Sequence, residues 1–193
     1  MGNTIFNTLL VKSATTEQLT EIKSSIIDIN NEGVTEIVFS RLVPIPTELD
    51  SSENEHWSNE NWGLTFDRWD AKFELGPEYL IVRFWTDNNA PWEWVRKISI
   101  LYPDQFFMLT SSSVYDGNCH TSMGRNGAMY HLSVPVFELD NNRQPFYYDS
   151  LGIERYFTTE EEVPLNMLGG RSFRNPFTLL IEVLVKGNCS FNY

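Results

Sequence analysis

Hydrophobic and polar residues alternate in two different ways along the first 140 residues, and each pattern predicts a type of secondary structure. Residues 5–11 are rich in apolar and β-forming side chains and predict a first strand. An apolar stripe at spacings of three and four then predicts an amphipathic helix over residues 16–29. The stripe consists of Leu19, Ile22, Ile26 and Ile29. Thr15 is a suitable N-cap for this helix, with Gln18 three residues later as a capping-box partner.

The next predicted elements follow the same logic. Residues 36–43 predict a second strand, which ends at two prolines that cannot stay in a central ladder. Residues 79–85 are apolar on both faces except at Arg83, which is typical of a central strand. A second amphipathic helix is predicted over residues 90–102, with Pro91 in its first turn. The other predicted elements are strands at 71–75, 105–111 and 128–139, and a hairpin connection at 115–127.

The order of these elements predicts the fold. Strand, helix, strand, loop, strand, helix and further strands is the split βαβ order of ferredoxin-like domains. It predicts an α+β sandwich in which an antiparallel sheet carries two helices on one face. We assign residues 1–142 to this core domain. Residues 143–193 are nearly neutral by charge and predict a β-containing C-terminal extension packed on the core, with one strand at 177–185.

The charge balance limits the partners that this protein can have. The formal net charge is −12 and the isoelectric point lies near 4.6. A protein that binds phosphates usually has the opposite sign, so direct nucleic-acid binding is disfavoured. A basic protein partner, such as a nucleic-acid-binding protein whose site the carboxylates mimic, suits this charge. The alternative is that the acidity only keeps the protein soluble.

One segment concentrates the acidity. Residues 48–60 contain five carboxylates and no Lys or Arg, and we interpret the segment as a solvated loop. If the protein binds a basic partner, this loop is the first candidate for the contact. Its candidate binding residues are Glu48, Asp50, Glu53, Glu55 and Glu60.

The aromatic turn after this loop is the second candidate site. Trp62 and Trp69 either build the core or stack on bases or sugars of a ligand. Asp67 and Asp70 flank Trp69 and suggest a paired-carboxylate acid/base site. The alternative is that Asp70 and Asn61 form hydrogen bonds that fix the turn.

Cysteine and histidine give few indications of chemistry. The two cysteines, Cys119 and Cys189, lie too far apart for a disulfide framework or a paired metal-ligand spacing. Cys119 and His120, with Asp116 nearby, suggest a thiolate nucleophile or two metal ligands. The alternative is a chance pair in a polar hairpin. His56 and His131 are isolated, and the sequence predicts no cofactor and no metal site.

Three groups of residues resemble a known family. Leu42 to Leu49 contains the Pro-Ile-Pro turn, Asn61-Trp62-Gly63 and Trp69-Asp70-Ala71 form an aromatic signature, and Ala90-Pro91 opens a helix that ends at Tyr102-Pro103-Asp104. These motifs resemble the YubB ferredoxin-like family of plasmid- and phage-encoded proteins, over roughly residues 4–139. Five residues separate Gly63 from Trp69, more than the family signature has. The resemblance implies a fold and a mobile-element context, and no catalytic residues.

The sequence therefore predicts a non-enzymatic, acidic binding protein of a phage or plasmid that acts through protein–protein contacts. In its sharper form it is a counter-defence inhibitor that mimics nucleic-acid charge. The alternatives are an enzyme with a site near the turn from Trp62 to Asp70, or a nucleic-acid binder that uses an aromatic sheet. Because the sequence has no apolar run long enough to cross a bilayer and no signal-peptide pattern, we expect a cytoplasmic protein. The oligomeric state stays open.

Overall fold

The computed structural model describes residues 4–13, 15–113, 118–135, 138–139, 145–148 and 154–156 of the 193-residue chain. The helices in this part are α1 (Thr16–Ile26), α2 (Ser51–Trp62) and α3 (Trp92–Leu101). The strands are β1 (Thr4–Lys12), β2 (Ile27–Ile29), β3 (Thr35–Val38), β4 (Arg68–Leu75), β5 (Tyr79–Asp87), β6 (Phe106–Ser113), β7 (Asn118–Arg125), β8 (Ala128–Pro135), β9 (Glu138–Leu139), β10 (Pro145–Tyr148) and β11 (Glu154–Tyr156).

Eight of these strands form one sheet in the order β2-β3-β4-β5-β1-β6-β7-β8, and every neighbouring pair is antiparallel. This confirms the predicted α+β class and the antiparallel sheet. The sheet is larger than that of a simple ferredoxin-like domain, because β2 and β3 extend one side and β7 and β8 the other. Strand β5 lies inside the sheet, as its two apolar faces predict. A separate three-stranded sheet has the order β11-β10-β9.

All three described helices pack on one face of the large sheet, which we call the helix face. On β1 this face carries Ile5, Leu9 and Val11, which share one core cluster with residues of every helix. The helix contributions to that cluster are Leu19, Ile22 and Ile26 from α1, Trp62 from α2, and Trp94, Val95 and Ile98 from α3. The predicted placement of the first and last of these helices on one face is therefore confirmed.

The opposite side of the sheet, which we call the second face, carries the alternate residues of each strand. A smaller buried cluster lies there, made of Leu10, Ile81, Met108 and Cys119. Further along the same strands, the second face carries Phe6 on β1 and the exposed side chains of Arg83 and Trp85 on β5. The two faces of the central strands therefore differ, since one is the main core and the other mixes buried and exposed positions.

The first helix ends earlier than its apolar stripe predicts. Ile27 has extended dihedral angles, and the three residues from Ile27 to Ile29 form β2. The reason is tertiary, because Ile27 pairs with Ile37 of β3. Gly33 takes a positive φ of 80° in the turn between β2 and β3, a conformation that glycine adopts easily. The predicted second strand, residues 36–43, is also too long, since β3 ends at Val38.

Residues 115–127, interpreted as a hairpin connection, contain a full strand. The prediction is wrong because β7 covers Asn118–Arg125 and pairs with β6 and β8. The tight turn follows it, since Arg125 pairs with Ala128 and leaves a two-residue loop of Asn126 and Gly127. Both loop residues have positive φ, as a type I′ turn requires.

The remaining predictions about the C-terminal part stay predictions. The strand predicted at residues 177–185 lies outside the described residues, as does most of the extension 143–193. None of the described helices combines the length and the apolar character that crossing a bilayer requires.

Candidate functional site

The acidic segment is a helix rather than the loop that its composition suggests. Asp50 is the N-cap of α2, and its Oδ1 accepts hydrogen bonds from the backbone N–H groups of Ser52 (2.8 Å) and Glu53 (2.9 Å). The carboxylate of Glu53 in turn accepts from the backbone N–H of Asp50 at 2.9 Å, which completes a capping box. Gly63 ends the helix in the left-handed conformation, with φ of 81°. These two end signals outweigh the poor helix propensity of the Asn and Ser residues between them.

The capping interactions change the acidity of Asp50. Its carboxylate accepts the backbone N–H of Glu53 and both the hydroxyl and the backbone N–H of Ser52, and these hydrogen bonds hold the pKa of Asp50 below its ordinary value. Two of the predicted binding residues, Asp50 and Glu53, therefore have a structural role at the start of α2.

The α2 acidic surface consists of the exposed carboxylates that surround this helix. They are Glu48, Glu53, Glu55 and Glu60. The chain has no Lys or Arg between Arg41 and Arg68, so α2 carries neither of these residues to neutralise its carboxylates. Among the described ion pairs, the one on this surface joins Glu60 to His56, with 3.3 Å between Glu60 Oε1 and His56 Nε2.

A shallow pocket opens beside α2 on this surface. Its apolar lining comes from Leu49 and Trp57, and its polar lining from Ser52, Glu53, His56 and Glu60. Its volume is about 430 Å³. An indole ring and a leucine side chain in one pocket with two carboxylates match the two parts of a Lys or Arg side chain, an apolar stem and a cationic head.

The neighbouring helix α3 supplies a cation on the inner side of α2. Lys97 Nζ contacts the side-chain oxygen of Asn61 and lies 5.8 Å from the centre of the Trp57 ring. Burial, and then the nearby Arg96 charge, lower the pKa of Lys97. Lys97 is therefore directed at an amide and an indole ring, and not at the carboxylates of the acidic surface.

The two tryptophans of the aromatic turn have different environments. Trp62 is fully buried, and its Nε1–H donates to the backbone oxygen of Val43 at 2.9 Å. Its ring also packs edge-to-face against Trp57, with 5.6 Å between ring centres. Trp69 is half-buried, donates to the backbone oxygen of Phe66 at 3.1 Å, and packs against the Phe66 ring. The position of Trp62 supports its interpretation as a core residue.

The two aspartates around Trp69 lie in separate places. Asp67 accepts from the backbone N–H of Ser40 at 2.6 Å and from the Ser40 hydroxyl at 2.5 Å, so it fixes the turn to the end of β3. Asp70 is exposed on the second face, where it pairs across the ladder with Glu36. The structure thus gives the turn-fixing role to Asp67, where the sequence suggested Asp70. Asn61 donates within α2, to the backbone oxygen of Trp57.

The Cys119 and His120 side chains do not point at one centre. They are consecutive residues of β7, so they lie on opposite faces of the sheet. Cys119 belongs to the buried cluster of the second face, whereas His120 lines a small pocket on the helix face with Trp92 and His131. Asp116 lies outside the described residues. A shared thiolate or metal site for this adjacent pair is therefore contradicted by the strand geometry.

A larger pocket on the second face has no counterpart in the sequence predictions. It is lined by Phe6, Val34, Thr35, Asp70, Ala71, Lys72, Arg83 and Trp85, and its volume is about 710 Å³. Sequence reasoning missed it because its residues come from β1, β3, β4 and β5 and from the turn before β3. One signal was present, since Arg83 interrupts an otherwise apolar strand.

Among the described residues, no group of three or more His, Cys, Asp or Glu side chains is placed to hold a metal ion. The fold and these surfaces define an α+β protein with a large antiparallel sheet. No family model, no curated protein and no solved structure matches the chain. The resemblance to the YubB family therefore stays a prediction.

Proposed function

We propose that this protein is a non-enzymatic binding protein that contacts a basic protein partner through the α2 acidic surface. One observation carries the proposal: the pocket beside α2 brings the apolar side chains of Leu49 and Trp57 together with the carboxylates of Glu53 and Glu60. A Lys or Arg side chain of a partner can lay its stem on Trp57 and direct its charge to these carboxylates.

The charge of the whole chain supports the same partner. With a formal net charge of −12, the protein attracts cationic molecules at a distance, and the exposed carboxylates around α2 strengthen that attraction near this helix. Such charges raise association rates more than they lengthen the life of a complex. The partner chemistry that we propose is therefore a protein surface rich in Lys and Arg.

Surfaces of that kind are common in proteins that bind nucleic acids, because phosphate contacts are made mostly by Lys and Arg. The finer proposal is thus a host nucleic-acid-binding protein whose site the α2 carboxylates occupy, as a counter-defence inhibitor of a phage or plasmid does. Its mobile-element part rests on the motif resemblance alone.

Within the α+β class, we also propose a specific fold for the central part of the sheet. The order β4-β5-β1-β6, with α1 and α3 on one face, matches the four-stranded sheet of a ferredoxin-like domain. We propose that this unit is the ferredoxin-like core and that β2, β3, β7 and β8 were added at its two sides.

The alternative enzyme site at the turn from Trp62 to Asp70 receives less support. Trp62 is in the core, Asp67 is bonded to Ser40, and Asp70 lies on the second face. A paired acid/base site needs two carboxyl groups directed at one substrate, and these positions separate them.

Affinity capture from a nuclease-treated bacterial lysate tests the proposal with two matched variants. The first variant carries Glu48→Gln, Glu55→Gln and Glu60→Gln, and it spares Glu53 because that carboxylate closes the capping box. The control carries Glu21→Gln, Glu32→Gln and Glu78→Gln, three exposed glutamates on other elements.

The proposal predicts that the wild type and the control variant both enrich a protein with a basic surface, and that the α2 variant loses it. Equal capture by all three proteins would contradict the proposal, as would enrichment of acidic proteins only. Both variants change the net charge by three units, so a general charge effect cannot imitate the predicted result.

A further inference from the structure

We propose that the pocket on the second face binds a mononucleotide, with the base stacked on Trp85 and the phosphate held between Lys72 and Arg83. The pocket lies on the opposite side of the sheet from α2. The proposal is therefore independent of the protein contact proposed above, and each stands or fails by its own experiment.

The two cations of the pocket lie side by side on neighbouring strands. Lys72 on β4 and Arg83 on β5 are directly opposite each other in the antiparallel ladder, and both side chains are exposed. Like charges in directly opposite positions destabilise a sheet. Among the described ion pairs none includes either residue, in a chain with twelve surplus negative charges. An anion between the two side chains removes this repulsion.

The aromatic part of the pocket lies next to these cations on the same strand. Trp85 follows Arg83 by two residues, so both project from the second face. Phe6 of β1 is directly opposite Trp85, and their ring centres are 4.9 Å apart at an interplanar angle of 59°. Phe6 thus supports the indole from one side, while 40% of Trp85 stays exposed. An exposed indole supported in this way is a stacking surface for a planar base.

The remaining polar residues suit the rest of a nucleotide. The carboxylate of Asp70 lines the pocket and is exposed, so it can accept a hydrogen bond from a sugar hydroxyl or an exocyclic amino group. Thr35 of β3 also lines the pocket. A volume of about 710 Å³ lies within the range of small-molecule sites.

The total charge selects a single nucleotide over a polymer. A nucleic acid brings one charge per residue along its length, and a chain with net charge −12 repels that array. A nucleoside monophosphate brings at most two charges, which Lys72 and Arg83 balance locally. The site offers one stacking ring and one cationic pair, which matches one nucleotide.

Isothermal titration calorimetry of the full chain tests this with the four ribonucleoside 5′-monophosphates as probes. Adenosine, ribose 5-phosphate and a twelve-residue oligoadenylate are the comparison ligands. The variants are Trp85→Leu, Arg83→Gln and Lys72→Gln. The matched controls are Tyr130→Leu, an exposed ring outside the pocket, and Lys23→Gln, a cation on the helix face beside Phe73.

We expect at least one monophosphate to bind, and each pocket variant to weaken it by about tenfold, since stacking and charge contacts each have about that effect. The controls should bind as the wild type does, and adenosine and ribose 5-phosphate should both bind more weakly. Circular dichroism melting of each variant establishes that it is folded. The proposal is overturned if no monophosphate binds at millimolar concentration, if the pocket and control variants bind alike, or if the oligonucleotide binds more tightly per nucleotide.

Discussion

The indole Nε1–H of Trp62 donates to the backbone oxygen of Val43, 2.9 Å away, and this bond ties the last turn of α2 to the segment after β3. The Val43 oxygen belongs to the Pro-Ile-Pro turn region, and the indole is fully buried. A buried indole N–H needs such an acceptor. The acidic helix is therefore held on the domain by a core residue at its C-terminal end, while a capping box stabilises the first turn at its N-terminal end.

Truncation of Trp62 tests that role. Trp62→Ala should lower the free energy of unfolding by about 3–5 kcal/mol, because it leaves a large cavity and an unpaired carbonyl. Trp85→Ala is the matched control and should lower it by about 1 kcal/mol or less, because that ring is 40% exposed. Urea unfolding followed by circular dichroism measures both values. Equal values for the two variants would contradict the core assignment of Trp62.

Removal of the N-cap tests how much the capping box at the N-terminus of α2 stabilises the protein. Asp50→Ala should lower the urea midpoint at neutral pH, because it removes two hydrogen bonds to backbone N–H groups. Glu55→Ala is the control, since Glu55 is exposed on the same helix and lies outside the capping box, and it should leave the midpoint nearly unchanged.

The stability difference between the wild type and Asp50→Ala should also depend on pH. The pKa of Asp50 is lower in the folded protein than its ordinary value of 3.8, so its ionised form stabilises the folded state. That contribution is present above 3.8 and is lost as the pH falls through the folded-state pKa. The difference in midpoint between wild type and Asp50→Ala should therefore shrink in this acidic range. A difference that stays constant there would contradict the capping role of the carboxylate.

The bond between Ser40 and Asp67 is suited to a double-mutant cycle. Ser40→Ala and Asp67→Ala should each destabilise the fold, and the double variant should be less destabilised than the sum. Both side chains are half-buried, and the hydroxyl donates to a carboxylate, so we expect a coupling energy of about 1–2 kcal/mol. Additive effects of the two substitutions would show that Asp67 acts elsewhere.

The buried position of Cys119 predicts low thiol reactivity. In a Cys189→Ser variant, Cys119 is the one remaining thiol. A thiol-modifying reagent should react with it slowly in the native protein and quickly in urea. Burial limits access of the reagent, and 1% of the residue is exposed. Fast modification of the native protein would revive a nucleophilic role for this residue.

The sequence predicted the elements that depend on local pattern. The strand at residues 79–85 and the helix at residues 90–102 agree closely with β5 and α3, because apolar spacing decides both. The same rule failed after Ile26, because the helical spacing continues to Ile29, whereas residues 27–29 form a strand that pairs with β3.

The acidic segment and β7 were both predicted as connections because their composition is polar, although residues at their ends indicate regular structure. The acidic segment has an Asp50 to Glu53 capping box and Gly63 at its end, which together indicate a helix. Asn126-Gly127 indicates a two-residue hairpin and therefore a strand on each side, although β7 is mostly polar. The pocket around Arg83 and Trp85 depends on cross-strand register, which no local pattern contains.

The central claim is that the α2 acidic surface attracts a basic protein partner. Its most direct test is the association rate of the captured partner at two salt concentrations, for wild type and for the Glu48→Gln, Glu55→Gln, Glu60→Gln variant. The wild-type rate should fall as salt rises, since exposed charges are screened over roughly 8 Å at physiological ionic strength. The variant should associate more slowly at low salt and depend less on salt, with a smaller change in its dissociation rate. An association rate that responds neither to salt nor to these three substitutions would contradict the claim.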